Sequence, residues 1–449
     1  MTKILSNKEK QRLIQNTLGK KLQGVATSPV PAALTKHAPA EIPPRHYRFD
    51  QDPAYQQMQI ISRGAQQLGV ENPFFRVHDG NAGATTSIQN KTLINFASYN
   101  YLGLSGHPQV NQAAHEAIEC YGTSVSASRL VAGERPVHRD LERALAELYE
   151  VDDAVVFVSG HATNVSTIGH LFGAKDLVLH DEFIHNSILV GIQLSGARRM
   201  PFPHNDLNAL KNLLRDARGG YEKVLIAVEG LYSMDGDYPD LPTLIDIKNE
   251  HKCFLMVDEA HSLGVMGASG KGLREQFSCD AGEVDIWMGT LSKSLAGCGG
   301  FIAGCSALVE QLKFLAPGFL YSVGIPAQVA APALEALRIM LAEPERVQRL
   351  QKLAEFFLNT AKNHGFDTGL SQGLSIVPIL TGSSLCAAQL SDKLLHRGIN
   401  VQPIIYPAVA EKSARLRFFI TSDHTAEQIV KTLDILHEEW QESNGPRKK

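Results

Sequence analysis

The sequence lacks the features that mark several common classes of protein. Its 449 residues include only six cysteines, scattered without a CxxC or CxxH spacing, which argues against a zinc site or disulfide framework and favours the reducing cytoplasm. Lysine and arginine number 43 against 47 acidic residues, a net charge of −4, so no basic surplus points to nucleic acid. No run of about 18 apolar residues predicts a membrane span, and the N-terminus lacks the apolar core of a secretory signal.

What is present is the composition of an ordinary soluble α/β protein. Hydrophobic residues make up 44% of the chain and charged residues 20%, both near the average for globular domains. The length allows two or three globular regions around a substantial core. We therefore look for chemistry in motifs and their spacing.

The N-terminal 50 residues differ in composition from the rest. Six basic residues against one acid occupy the first 22 positions, and the stretch "ATSPVPAALTKHAPAEIPP" (26–44) is rich in proline and alanine. Such a composition is typical of a linker or of an arm lying along a surface. Three interpretations of this segment remain open: a flexible arm, a docking helix for a partner protein and a transit-type peptide. We predict an arm and linker over 1–50, and a segment leading into the core over 51–115.

From about residue 92 onward, short apolar runs alternate with helix-length segments. One such segment, "HRDLERALAELYE" (138–150), has leucines at 141, 145 and 148 on one helical face. This alternation indicates a mostly parallel sheet covered on both faces, in a large α/β domain over 116–325. The helices and strands that follow indicate a smaller α+β domain over 326–445. The predicted strands of the large sheet are 154–159, 177–180, 223–229, 254–258, 286–289 and 300–304.

Chemically active side chains follow four of these predicted strands. In open parallel sheets, ligands bind beyond the carboxyl ends of the strands. A single polar residue at such a position is usually a helix cap or a turn former. Here, acids, hydroxyls, a histidine and a lysine follow four predicted strands that end at one edge of the sheet, which favours a functional site. The residues are Ser159, Gly160 and His161; Glu229 and Ser233; Asp258 and His261; and Thr290, Ser292 and Lys293.

One cofactor, pyridoxal 5'-phosphate (PLP), uses all of these groups. A buried lysine with a lowered pKa forms a Schiff base with an aldehyde, which makes Lys293 the candidate for that link. A strand-end aspartate such as Asp258 keeps a pyridine nitrogen protonated, so that the ring becomes an electron sink. Residues 159–161, at a helix start, suit a phosphate, and "GCGGF" (297–301) lets main chain pass close by. "VDEAHS" followed by "TLSKS", with 35 positions from Asp258 to Lys293 (293 − 258), is a strong signal.

These motifs resemble those of the α-oxoamine synthases, a branch of the fold-type I PLP enzymes. Five segments look like signatures of that family, in the family's order, and the resemblance runs from about residue 90 to 440. It implies a fold-type I architecture, with a mostly parallel sheet in a large domain and a smaller α+β C-terminal domain. The segments are "NYLGLSGHP" (100–108), "EGLYSMDGDYPDLP" (229–242), "VDEAHSLGVMGASGKG" (257–272), "TLSKSLAGCGGFIAG" (290–304) and "LRFFITSDHT" (416–425).

The resemblance also implies an activity and partners. Members of the family condense glycine, alanine or serine with an acyl thioester and release carbon dioxide, giving an α-aminoketone. The long N-terminal part and "SYNYLGLSG" (98–106) look most like members associated with polyketide or fatty-acid-like assembly lines. The acyl group is therefore expected from coenzyme A or from an acyl carrier protein. Family sites lie at a dimer interface, so a homodimer with shared active sites is expected.

Carried over to this sequence, the resemblance assigns roles around the PLP ring. Lys293 is the Schiff-base lysine and Asp258 the partner of the pyridine nitrogen. His261 and Ser233 approach the phenolic oxygen of the ring, and His185, in "HDEFIHNSI", stacks on its face.

The phosphate and substrate sides are assigned in the same way. Gly160, His161, Thr290 and Ser292 are the phosphate-side candidates, and Ser322 is expected to reach the phosphate of the partner subunit.

Arg417 is expected to hold the substrate carboxylate, because a guanidinium fork suits a planar anion. Its neighbour Arg415 is equally compatible with an ion pair. His138 matches a family histidine near the substrate entrance. Tyr99 stands where an asparagine often contacts the carboxylate, and Asn100 is a candidate to compensate.

Three other functions were weighed. An aminotransferase would bind the same cofactor and exchange amino groups with a keto acid. A non-enzymatic binding protein on this scaffold would be expected to lose Lys293 or Asp258, and both are present. A dinucleotide-binding dehydrogenase is disfavoured because no GxGxxG follows the first strand of a βαβ unit.

Overall fold

The computed structural model describes residues 42–67 and 71–444, so the basic segment over 1–22 and most of the predicted linker lie outside the described residues. The chain forms two compact units, one ending at Gly69 and one beginning at Val70. In the first unit, two short 3-10 turns (Pro44–His46 and Phe49–Gln51) precede helix α1 (Pro53–Gln67). The predicted division of the second unit at residues 115 and 325 stays a prediction.

The second unit contains three sheets. Their strands are β1 (Thr85–Ile88), β2 (Lys91–Asn95), β3 (Asp153–Phe157), β4 (Leu177–Asp181), β5 (Arg198–Phe202), β6 (Val224–Glu229), β7 (Phe254–Asp258), β8 (Ile286–Thr290), β9 (Gly300–Gly304), β10 (Ile376–Leu380), β11 (Ile399–Asn400), β12 (Gln402–Ile404) and β13 (Arg415–Phe419).

The helices of the second unit separate and cover these strands. They are α2 (Pro108–Tyr121), α3 (Pro136–Tyr149), α4 (Gly160–Leu171), α5 (Asn186–Ser195), α6 (Leu207–Ala217), α7 (Leu241–His251), α8 (Leu273–Phe277), α9 (Ser306–Leu315), α10 (Pro317–Leu320), α11 (Ala327–Ala342), α12 (Pro344–Asn363), α13 (Ser384–His396) and α14 (Ala426–Asn444). None of the helices within the described ranges is both long and apolar enough to cross a membrane.

The large sheet has seven strands in the order β3-β9-β8-β7-β6-β4-β5. Strands β5, β4, β6, β7 and β8 pair in parallel, whereas β9 is antiparallel to both of its neighbours. The predicted α/β class and the six predicted strands are thereby confirmed. Strand β5 was missed because "RRMPF" opens with two exposed arginines and lies at the edge of the sheet, where no continuous apolar run is needed.

Successive residues of the central strands pack into two separate cores. Val257 of β7 belongs to a cluster with Leu145 of α3 and Leu337 of α11, whereas its neighbour Met256 belongs to a second cluster with Ile188 of α5. Because successive side chains of a strand point to opposite faces, each apolar run contributes side chains to both faces of the sheet. Helices cover each face.

Two smaller sheets complete the unit. Strand β11 pairs in parallel with β2, and β2 in turn pairs with β1, so a strand near residue 400 completes a sheet begun near residue 90. Strand β13 lies between β10 and β12 and is antiparallel to both. This second sheet carries Arg415 and Arg417 on its central strand.

The parallel strands of the large sheet end at one edge, where space is limited. An added Cβ on Gly300, in β9, would lie 2.7 Å from the Cα of Gly160 at the start of α4 and 2.5 Å from Oγ1 of Thr163. Glycine at this position therefore allows the first turn of α4 to approach the sheet.

The Gly300→Ala substitution is expected to destabilise the protein by about 1–3 kcal/mol, because its methyl group has no free volume beside α4. The change is measured as the free energy of urea-induced unfolding. Gly173→Ala is the matched control, since a Cβ there would meet no atom within 4 Å. Equal stability of the two variants would contradict the close approach.

Candidate active site

A pocket lies at the edge where β6, β7 and β8 end. The first turn of α4 and the start of α5 complete its walls. Most of the residues that the sequence predicted for the ring and the phosphate meet here. The lining residues are Gly160, His161, Asn164, His185, Ser187, Glu229, Asp258, Ala260, His261, Met288, Thr290 and Lys293.

Lys293 follows the last residue of β8 by three positions and projects into this pocket. Burial lowers the pKa of its amine to about 8, and the negative charge of Asp258 is the strongest effect in the opposite direction. The Nζ atom also lies 6.0 Å from the centre of the Tyr99 ring. An amine with this pKa is uncharged often enough near neutral pH to act as a nucleophile or a base.

The carboxyl group of Asp258, the last residue of β7, is buried and held from two sides. Its Oδ2 accepts a hydrogen bond from Nδ2 of Asn164 at 2.8 Å, and its Oδ1 accepts one from the backbone N–H of Ala260 at 3.0 Å. The same Asn164 amide donates to Oγ of Ser187 at 2.8 Å. Sequence reasoning missed Asn164, although its position four residues after Gly160 puts it on the same helical face.

His261 lies beside Asp258 and Lys293 in the wall of the pocket. Burial, reinforced by the positive charges of Lys293 and Arg417, holds the pKa of its imidazole well below the ordinary value. Its Nδ1 is 2.8 Å from the hydroxyl of Tyr101, a fully buried residue that the sequence analysis did not single out. The site therefore contains a neutral histidine in a set orientation.

His185 caps the N-terminus of α5. Its Nδ1 lies 2.7 Å from Oγ of Ser187 and accepts the backbone N–H of the same residue at 3.3 Å. These two contacts orient the imidazole at the pocket, and its predicted stacking on a ring stays a prediction.

The phosphate-side candidates surround the first turn of α4. Thr290 Oγ1 donates to the carbonyl of Gly299 at 2.9 Å and lies 3.2 Å from Oγ of Ser292. An added Cβ on Gly160 would come within 3.0 Å of that Thr290 oxygen. Hydroxyl groups and the free N–H groups of a helix start thus share one small space, which is the arrangement that suits an anion. His161 is exposed at its rim.

Arg417, on β13, reaches the loop that follows β6. Its Nη1 donates to the carbonyl of Ser233 at 3.0 Å, and its guanidinium carbon lies 4.6 Å from the centre of the Phe419 ring. Burial lowers the pKa of this guanidinium, and its Nε is buried without a hydrogen-bond partner among the described residues. A buried, incompletely paired cation beside Lys293 is suited to an anionic group such as a carboxylate.

Arg415 has a different environment two residues away. It is buried, and its Nη1 donates to Oδ1 of Asp235 at 2.6 Å and to the carbonyl of Met234 at 2.9 Å. The structure therefore shows Arg415 in an ion pair, and this ion pair is buried and not at the surface.

Two predicted substrate contacts, Asn100 and His138, do not line the pocket. Asn100 is buried, with its Nδ2 donating to the carbonyl of Ala82 and its Oδ1 accepting from the N–H of Ser105, so it orders a loop. His138 is fully buried, and its two ring nitrogens contact the Arg135 N–H and the Ile325 carbonyl. Both side chains thus contact main chain, and their assignment to the substrate stays a prediction.

Tyr99 and Ser322 also differ in position. Tyr99 is 43% exposed and packs edge-on against Phe419, with Lys293 near its ring, so it borders the site. Ser322 does not line the pocket, and its hydroxyl donates to the carbonyl of Val323 at 3.2 Å. A role for Ser322 toward a partner subunit stays a prediction.

The loop after β6 is anchored by a buried cluster that sequence reasoning missed. His204 bridges two carboxylates, with Nδ1 2.9 Å from Asp181 Oδ1 and Nε2 2.8 Å from Asp237 Oδ2. Although burial opposes the charged form, hydrogen bonds and charge from both aspartates raise the pKa of His204 to about 10. A protonated imidazole therefore ties the end of β4 to the loop that carries Ser233.

The residues of the pocket fit PLP on their own evidence. Asp258 presents a buried carboxylate that already has two donors, Lys293 presents an amine of lowered pKa, and the start of α4 is open to a phosphate beside Thr290. Buried oxygens of Asn164 and Glu229 also lack a hydrogen-bond partner among the described residues. An open α/β sheet with this set at the carboxyl ends of its strands defines a fold-type I PLP enzyme.

Comparison with known proteins gives the family. The model of the aminotransferase class I and II family matches residues 91–436. The 8-amino-7-oxononanoate synthase of Symbiobacterium thermophilum is 39% identical over 370 residues, which are 82% of this chain and 94% of that protein. The chain therefore belongs to the aminotransferase class I and II family, and within it to the α-oxoamine synthases.

Solved structures agree with this assignment. The serine palmitoyltransferase of Sphingomonas wittichii has a TM-score of 0.83 and 26% identity, and the match covers 87% of this chain and 98% of that one. A serine palmitoyltransferase carrying PLP as the internal aldimine has a TM-score of 0.82 and 29% identity, with the same coverage. The cofactor is PLP, and the enzyme is an acyltransferase that joins an amino acid to an acyl thioester with loss of carbon dioxide.

Replacing His204 by Gln is expected to destabilise the protein by about 3 kcal/mol or more, because two buried carboxylates lose their cation. Since the folded-state pKa of His204 is raised, its contribution is complete below the unfolded-state pKa of about 6.5 and is lost as the pH rises through about 10. Urea unfolding at about pH 6 and about pH 10 should show the difference from wild type shrinking. His396→Gln, at an exposed histidine with a 3.9 Å ion pair, is the control, and a difference independent of pH would contradict the assignment.

Proposed function

We propose that this enzyme condenses glycine, alanine or serine with an acyl thioester of coenzyme A or of an acyl carrier protein and works as a cytoplasmic homodimer with shared active sites. The observation that carries the proposal is the meeting of Lys293, Asp258 and a neutral His261 in one pocket, with Arg417 within electrostatic range of both Lys293 and His261. PLP, when bound to Lys293, supplies an electron sink for negative charge at the α-carbon of the amino acid.

Lys293 is the base of the reaction. With a pKa of about 8, the free amine of Lys293 has a useful unprotonated fraction near neutral pH, so it would accept the α-proton of the amino acid. Asp258 holds the proton on the pyridine nitrogen, because Asn164 and the Ala260 N–H keep its carboxylate in place. Lys293 thus removes the proton from the α-carbon, and Asp258 retains the proton on the pyridine nitrogen.

Arg417 and His261 act on the substrate carboxylate. The guanidinium of Arg417 is aligned by the Ser233 carbonyl, and its buried Nε has no hydrogen-bond partner in the part of the chain that the structure describes, so it orients the carboxylate that leaves as carbon dioxide. His261 is neutral and oriented by Tyr101, so it donates or accepts a hydrogen bond without competing for the negative charge. Tyr99 borders the same space and limits the size of the amino acid.

The names of the similar proteins indicate the kinds of substrate to consider. One group is named for the product 8-amino-7-oxononanoate, and the other is named for serine and a palmitoyl group. For this chain we propose an amino acid of similar size and an acyl chain carried by coenzyme A or by an acyl carrier protein. A cytoplasmic location agrees with six cysteines that form no disulfide among the described residues.

The proposed homodimer uses the surface around Ser322. Tyr321 and Val323 flank it in the sequence and are 87% and 50% exposed, and Phe314, at the end of α9, is 62% exposed. Large apolar side chains exposed together favour a protein interface. Ser322 in such an interface would face the phosphate side of the partner's site.

Lys293→Ala is expected to abolish the visible absorbance of the bound cofactor and to lower turnover by about 10²-fold or more, because the covalent link and the base are both lost. Turnover is measured as free thiol released from coenzyme A and carrier-protein thioesters in the presence of single amino acids. Lys352→Ala, on the exposed face of α12, is the control. An active, yellow Lys293→Ala enzyme would disprove the scheme, and amino-group exchange with a keto acid without thiol release would identify an aminotransferase.

Tyr321→Glu is expected to convert the dimer to monomers, because it buries an unpaired charge in the interface. Sedimentation velocity measures the change, and cofactor retention should fall with dissociation. Leu370→Glu, at another exposed apolar residue, should leave the dimer intact. A Tyr321→Glu protein that sediments as wild type would contradict the proposed interface.

A further inference from the structure

Glu229 is a buried acid that the mechanism above does not use. It is the last residue of β6, is 2% exposed and lines the pocket. Its Oε2 accepts the backbone N–H of Ser233 at 3.1 Å. Its Oε1 is buried and has no hydrogen-bond partner among the described residues. Oε2 thus orders the loop, and Oε1 lies in the wall of the active site, where a ligand could reach it.

Asp258 provides the comparison that decides which carboxyl group carries charge. The two acids are directly paired in the register of the parallel strands β6 and β7. Both oxygens of Asp258 accept hydrogen bonds, whereas only one oxygen of Glu229 does. Hydrogen bonds to the charged form favour ionisation, and two neighbouring buried carboxylates disfavour each other's charge. The negative charge therefore belongs on Asp258 and the proton on Glu229.

The charges around Glu229 agree with this division. Burial is the main cause that raises its pKa well above the ordinary value, and the negative charges of Asp258 and Asp181 act in the same direction. Lys293 opposes the shift, and Arg417 is a second cation within electrostatic range. Because burial is the largest cause and the pKa of Glu229 is raised despite Lys293, the nearby cations do not offset the desolvation of a second carboxylate.

We propose that Glu229 is a permanently protonated carboxyl group whose Oε1–H donates a hydrogen bond into the pocket, toward the ligand that Lys293 holds. Asp258 then keeps the single negative charge of this wall. A carboxylic acid kept neutral by its surroundings is an effective hydrogen-bond donor at neutral pH. The inference rests on the proposed function for the identity of the ligand, but the protonation of Glu229 is a property of the chain alone.

The protonation is tested first on the apoprotein, by infrared spectroscopy of the carbonyl stretch of protonated carboxyl groups. Glu259 is a second buried acid, with a pKa raised to about 7 by burial, so the spectrum is recorded near pH 9, where that group is ionised. We expect a protonated-carboxyl band in wild type that disappears in Glu229→Gln and persists in the exposed control Glu250→Gln. Absence of such a band in wild type, or its persistence in Glu229→Gln, would overturn the proposal.

Stability of the apoprotein supplies a second readout. A folded-state pKa raised above the unfolded-state value of about 4.5 means that the contribution of this group to stability is complete below that pH and declines as the pH rises. Glutamine has the shape of the protonated acid and cannot ionise, so Glu229→Gln should be at least as stable as wild type near pH 8. The quantity to compare is the stability of Glu229→Gln minus that of wild type. If this difference is more unfavourable at pH 8 than at pH 5, the assignment is contradicted.

The holoenzyme distinguishes a neutral donor from an anion. If Glu229 is neutral, Glu229→Gln leaves the pH midpoint of the cofactor's visible absorbance unchanged. If Glu229 is ionised, the substitution removes a negative charge beside Lys293 and lowers that midpoint by about one unit or more, which would overturn the proposal. Failure of wild type to bind PLP would instead refute the proposed function, while the infrared result still decides the protonation of Glu229.

Discussion

The site depends on the placement of an amine in a buried pocket that also holds a carboxylate. Burial, with a smaller effect from the positive charge of Arg417, drives the pKa of Lys293 down, and the negative charge of Asp258 limits the fall to about 8. A lysine without the aspartate would be neutral over most of the working range, and one in water would be charged throughout it. The balance between desolvation and one neighbouring charge therefore makes the residue useful both as a link and as a base.

That balance requires the fold to bring distant residues together. Parallel strands β6, β7 and β8 end side by side, so Glu229, Asp258 and Thr290 reach one edge from three separate parts of the chain. Helix α4 delivers Asn164 from the other side because Gly300 leaves room for its first turn. Sheet topology thus sets which residues meet, and close packing sets how near they come.

The sequence predicted most of this arrangement, and the exceptions share a cause. Apolar runs and the residues after them are local signals, which is why the strands, Lys293 and Asp258 were visible in the sequence. Asn164 and His204 were not, because each is defined by a partner far along the chain. For Asn100 and His138, a motif does not reveal that both sides of the amide or imidazole already contact main chain.

The loop after β6 joins these observations into one structural argument. Glu229 accepts its Ser233 N–H, Arg417 donates to its Ser233 carbonyl, and His204 holds its far end through Asp237. Arg415 pairs with Asp235 between those points. Side chains from two sheets and a neighbouring loop therefore converge on one short segment, and breaking the ion pair of His204 or of Arg415 would leave a buried charge unpaired. These contacts order the segment that follows Glu229 in the wall of the pocket, and the burial that this wall provides is what lowers the pKa of Lys293 to about 8.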